Sequence, residues 1–193
     1  MSITHDPLRA RLERWAEIVA LGRACDLSET VHVSMLAESV NVFFNGARYE
    51  SDGLGCDEVD HWATPLEFIT RDAGDCEDFA IAKYFTLRAA GIGMGRLRLL
   101  YAKVMPGRMP HMVLAYFAAP GTNPLILDNL TSHIKPLRAR DDLKPFYAFN
   151  EARVWLFRDD GTPVDVCAAG TLVLWRTLLE RVAQEQQPVG ALA

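Results

Sequence analysis

"AGDCEDFAIAKYF", residues 73–85, places one cysteine among carboxylates and ahead of an apolar run. Ala80, Tyr84 and Leu87 follow Cys76 at helical spacing and Gly91 supplies a stop, so a buried helix begins at or just before Cys76. A helix N-terminus carries partial positive charge and free backbone N–H groups. Cys76 there gains thiolate stability and sits beside ready oxyanion donors. Asp75, Glu77 and Asp78 act the other way, because nearby negative charge disfavours a thiolate. Two readings follow. Either Cys76 is a small core hydrophobe, or something neutralises its acidic neighbours.

On the N-terminal side the pattern is helical. Asp6-Pro7 is an N-cap followed by proline at the first helical position, predicting a helix to about Ala24 with Leu8, Leu12, Trp15, Ile18 and Val19 on one stripe. A second helix is predicted over Ser28–Asn45, stopping at Gly46. Residues 47–63 read as irregular and polar. "TPLE" (64–67) is a capping box that opens a short helix ending near Gly74.

On the C-terminal side the texture changes to strands: "LRLLYAKV" (97–104), "HMVLAYFA" (111–118), "PLILDN" (124–129) and "ARVWLFR" (152–158). "PGTN" (120–123) joins the second and third as a turn. "AAGTLVLWRTLLERVAQEQ" (168–186) reads as a C-terminal helix followed by a frayed tail. Helices first and antiparallel strands second make an α+β fold, expected as one domain over residues 1–193.

Composition narrows the function. A net charge of −5 without a basic run argues against nucleic acid as a partner. No apolar stretch approaches the length of a membrane span. Charges at Arg9, Arg11, Glu13, Arg14 and Glu17 break up the order of a signal peptide, so the chain as given is not visibly exported and a cytoplasmic location is the alternative to export. Cys25, Cys56, Cys76 and Cys167 are scattered with no CxxC pair, against a zinc site and a dense disulfide scaffold.

A cysteine nucleophile needs an imidazole base, and the base needs an orienting carboxylate or amide. Of five histidines, only His111 opens an apolar strand; His5 is near the terminus, His32 mid-helix, and His61 and His133 are in polar loops. With "PGTN" as the turn, facing residues sum to roughly 239–243, which puts Asp128 at the edge of the window opposite His111. The bland alternatives are a half-buried strand histidine and a turn-capping aspartate.

Cys, His and Asp in this order, with "VNVFFN", "DHWATPLEF", "GDCEDFAIAKYF", "HMVLA" and "LILDNL", resemble the bacterial transglutaminase-like cysteine proteinases over about residues 35–150. The resemblance implies a papain-like, transglutaminase-like core with Cys76 as nucleophile, His111 as base and Asp128 as orienter. It implies Ca²⁺ held by Asp75 and Glu77; Asp78 is expected to point elsewhere on the helix. A bound dication would invert the local electrostatics, and oxygen-only ligands suit Ca²⁺. It also implies a periplasmic location, a large surface adhesin as substrate cut near paired small residues, a role in biofilm attachment, and an inhibitory membrane receptor of the cyclic-di-GMP type. Trp62, through its indole N–H, is a candidate oxyanion donor; its bland reading is a packed loop aromatic. The same triad would serve a transglutaminase or acyltransferase. A non-catalytic calcium or peptide-binding module has no need of all three residues.

Overall fold

The computed structural model describes residues 6–51 and 61–185. Asp6 accepts the N–H groups of Leu8 and Arg9, and α1 spans Pro7–Ala24 as the cap predicts. Helix α2 (Thr30–Asn45) begins two residues later than the pattern suggests. Asp26 is the reason: its carboxylate takes the N–H and hydroxyl of Ser28, at 2.9 and 2.7 Å, and holds that residue in a turn. The expected capping box is complete in α3 (Pro65–Arg71), with Thr64 and Glu67 bonded reciprocally. That helix ends ahead of Gly74 because Asp72 turns left-handed at φ 54°.

Between α3 and the next helix, Ala73–Gly74 (β2) pairs in parallel with Arg48–Tyr49 (β1). Gly74 is required by packing, since a Cβ there would meet the Asp78 side chain at 2.7 Å and the Phe68 ring at 2.9 Å. Helix α4 (Cys76–Ala89) then starts with Asp75 as N-cap, and Gly91 leaves it at φ 106°. Of the irregular segment expected over 47–63, residues 52–60 lie outside the described residues, as do Cys56, His5 and the C-terminal tail.

Seven antiparallel strands follow: β3 (Leu97–Val104), β4 (Met109–Tyr116), β5 (Leu125–Leu127), β6 (Lys135–Pro136), β7 (Leu143–Phe149), β8 (Arg153–Phe157) and β9 (Pro163–Ala168), in the order β6-β5-β4-β3-β7-β8-β9. The β4–β5 register pairs Leu114 with Leu127 and Tyr116 with Leu125, the centre of the expected window. Strands β6, β7 and β9 are not evident in the sequence pattern. Pro145 disguises β7, an interior strand; a register shift beside Tyr101 and Ala102 accommodates the proline.

Sheet alternation divides the apolar side chains. Leu97, Leu99, Met112, Leu114, Tyr116 and Phe149 join the helices in the larger core. Leu100, Ala102, Val113, Ala115, Ile126 and Ala148 form a smaller cluster. Helix α4 is buried along most of its length between these layers' helical partners and β4. Helix α5 (Val173–Glu185) closes the larger core with Trp175, fully buried, stacked on Phe85 at 5.6 Å and donating its indole N–H to Asn150 O at 3.1 Å. Among the described residues no helix is long and apolar enough to cross a membrane.

Candidate active site

The sheet supplies one half of the site. His111, on β4, meets Asp128, one residue past β5, with Nε2–Oδ1 at 2.7 Å. Both are buried. Asp128 Oδ1 also accepts the Leu130 N–H at 3.0 Å, and Oδ2 accepts from Arg140 Nη2 at 2.7 Å. Burial pushes the Asp128 carboxyl up, but the His111 hydrogen bond and charge, the Leu130 N–H and Arg140 together bring it down to about 2. The carboxylate is therefore ionised and fixed, and it leaves His111 Nδ1 as the nitrogen able to face a thiol.

Helix α4 supplies the other half. Cys76 is its first residue, half-buried, with Met112 of β4 against the sulfur. Met112 is the chain neighbour of His111, so the fold brings the helix start to the strand position that carries the imidazole. The expected thiol–imidazole hydrogen bond is replaced: Cys76 Sγ donates to Glu77 Oε2 at 2.9 Å. Burial raises the thiol pKa strongly, the Glu77 charge and hydrogen bond and the Asp75 charge raise it further, and only the Met112 backbone opposes them. A protonated thiol beside a carboxylate donates to it, which is why the side chain turns to Glu77. Tyr49 and Tyr101 border the same charges: burial raises their pKa first, and Cys76 and Glu77 add to it.

Asp75 and Glu77 bracket Cys76 as expected, but Asp78 has a larger part than its sequence position implies. Its carboxylate is buried and accepts the Ala63 N–H at 2.7 Å, tying the segment before α3 to the first turn of α4. Helix α5 secures the same segment: Arg181 donates to Trp62 O at 3.1 Å and also pairs with Glu67, while Thr64 donates to Glu185 at 2.6 Å. Trp62 itself stacks on Phe149 with centroids 5.8 Å apart and packs edge-on against Trp175. Its Nε1 is covered by protein and has no acceptor among the described residues. The ring packs in the core as the bland reading expects, and its N–H remains an unused donor.

Three contributing residues escaped the sequence reading. Arg140, in a polar loop, shares one guanidinium between Asp128 and Asp142. Asn45 donates to the Asp128 carbonyl at 2.8 Å and accepts from Lys83 Nζ at 2.6 Å. Lys83 is fully buried, and burial brings its pKa down to about 7 against the opposing pull of Asp128. Only Lys83 left a signal: seven residues after Cys76, it puts a cation on the buried stripe of α4.

Comparison with known proteins gives this arrangement a family. The model of the bacterial transglutaminase-like cysteine proteinases matches residues 24–146. The chain belongs to that family. It is a cysteine peptidase of transglutaminase-like fold. EGTA-treated LapG of Legionella pneumophila is 38% identical, covering 92% of this chain and 91% of its own, with a TM-score of 0.78. Calcium-bound LapG of the same organism is 37% identical, covering 92% of each chain, with a TM-score of 0.77. No curated protein sequence matches the chain.

Proposed function

We propose that this proteinase is a calcium-dependent endopeptidase in which Cys76, His111 and Asp128 are the catalytic triad. The buried His111–Asp128 pair beside the N-terminus of α4 carries the reading. His111 Nδ1 accepts the Cys76 proton as Sγ attacks a peptide carbonyl, and Asp128 holds the Nε2–H tautomer and stabilises the imidazolium. The tetrahedral oxyanion is met by backbone N–H at the start of α4, Cys76 first. His111 then protonates the leaving amine, and water hydrolyses the thioester.

The donor set beside Cys76 suits a hard cation. Asp75 and Glu77 offer carboxylate oxygens on either side of the nucleophile, and Ca²⁺ accepts carboxylates together with carbonyl oxygens and water. Among the described residues no cluster of three or more His, Cys, Asp or Glu side chains forms, so two carboxylates would anchor the ion and carbonyls or water would complete its shell. Bound there, Ca²⁺ would supply compensating charge. The calcium-bound relative supports this reading. Glu77 is then both a ligand and the group that holds the resting thiol, so metal and thiol compete for one carboxylate.

The substrate on this reading is a large bacterial surface adhesin cut near paired small residues in the periplasm, controlling biofilm attachment, with a membrane receptor of the cyclic-di-GMP type sequestering the enzyme. Family resemblance supports these points. The test is incubation of adhesin fragments with the enzyme, in Ca²⁺ and in EGTA, with sequencing of new N-termini. New termini that form only in Ca²⁺ and vanish with Cys76→Ala are expected; intact fragments under every condition contradict the substrate assignment.

A further inference from the structure

The sheet face turned away from α4 carries a cavity of about 230 Å³ between the β4–β5 turn and the β8–β9 turn. Apolar side chains including Leu100, Ala115 and Phe157 line it, with Arg98 as its charged member. The guanidinium is clamped between two rings, 3.7 Å from the Trp155 centroid and 4.5 Å from that of Phe117. This stacking fixes the plane of the cation without satisfying its N–H groups. Its Nε–H is covered by protein and has no acceptor among the described residues. Asp165, the carboxylate whose charge it feels, is held through both oxygens by Arg153. Asp160, in the neighbouring turn, accepts the Thr162 N–H.

A pre-oriented guanidinium with no hydrogen-bond acceptor among the described residues, set in an apolar cavity, is built to receive a planar anion. The cavity is smaller than the roughly 300–1,000 Å³ of sites for drug-sized ligands, so it fits a fragment. We propose that this cavity binds a carboxylate carried on a short apolar stem, with Arg98 as its anchor. The carboxylate could belong to a free short-chain acid or to a glutamate side chain in an apolar peptide. The site is separate from Cys76 and independent of the proposed peptidase mechanism.

The test follows the Gly121 and Gly161 amides by NMR while 4-methylpentanoate is added to the full chain, with 4-methylpentanamide as the uncharged match. Capped Leu-Glu-Leu and Leu-Gln-Leu peptides are titrated in parallel to distinguish the free acid from the peptide-borne one. The acid should shift both glycines and bind at least about tenfold more tightly than the amide, a difference conferred by one charge-assisted contact. Arg98→Met, which keeps the stem between the rings, should abolish that preference, Arg98→Lys should keep part of it, and turnover at Cys76 should be unchanged in both. Equal binding of acid and amide, or no shift at either glycine with either acid, overturns the proposal. Both comparisons can be made on the unsubstituted protein should the variants fold poorly.

Discussion

The two halves of the site are built to different standards. On the sheet, every polar atom of the Asp128 carboxylate has a partner: His111 and Leu130 on one oxygen, Arg140 on the other. On the helix, Cys76 spends its hydrogen bond on Glu77 and is surrounded by influences that keep it protonated. The sheet half is organised in advance, because strands hold His111 and a buried salt bridge holds Asp128. The helix half is held in reserve, because the N-terminal dipole that would favour a thiolate is outweighed by burial and two carboxylates. On the proposed mechanism, a base fixed in place beside a thiol restrained by its neighbour makes a peptidase that a cation would switch on.

Removing the proposed nucleophile should give the largest effect. Cys76→Ala should cut turnover by at least about 10⁴-fold with the fold intact, since the site is half-buried and the change small. It should still bind Ca²⁺, whereas Glu77→Ala should lose both, and calorimetric titration separates the two outcomes.

Asp128→Asn tests the sheet half and should lower kcat by about 10³–10⁴-fold, because the amide cannot hold His111 in the same state. It should also destabilise the fold by about 1–3 kcal/mol, because buried Arg140 keeps only Asp142. The native carboxyl sits at about 2 against an ordinary 3.8, so its contribution is complete above about pH 4 and is lost as the pH falls toward 2. Acid melting curves of the variant should accordingly lose less between pH 4 and pH 2 than those of the native chain.

EGTA tests the helix half and should lower activity by at least about tenfold, with Ca²⁺ but not Mg²⁺ restoring it, since Mg²⁺ demands strict octahedral geometry and gives up water reluctantly. A rise in Tm with Ca²⁺ should accompany the recovery. Full activity in EGTA would mean that the acids serve the helix dipole alone.

The smallest expected change in chemistry, with a clear cost in stability, is at Asp78. Asp78→Ala leaves the buried Ala63 N–H without an acceptor, and about 1–3 kcal/mol should be lost by urea melting.

Much of this was legible in the chain, for local reasons. Caps are short-range signals, so the start of α1, the Thr64–Glu67 box and the position of Cys76 at a helix start all follow from adjacent residues. The β4–β5 register is fixed by one turn, and with it the meeting of His111 and Asp128. What escaped is long-range. Pro145 hides β7 because its bulge exists only against β3. Arg140 looks like any loop arginine until the chain returns it to Asp128. Asp78 looks like an exposed first-turn acid until Ala63 reaches it across fifteen residues. Trp62 looks like a loop aromatic until Phe149 and Trp175, distant in sequence, pack against its ring.

The most direct measurement is the rate at which each cysteine reacts with iodoacetamide near neutral pH, mapped by peptide mass, in the native chain and in His111→Ala, each with Ca²⁺ and with EGTA. Cys76 should react first in Ca²⁺, and either EGTA or loss of His111 should slow it while Cys25 and Cys167 are unchanged. Earlier labelling of Cys25, Cys56 or Cys167, with activity following that residue, or a Cys76 rate indifferent to both His111 and Ca²⁺, would contradict the proposed mechanism.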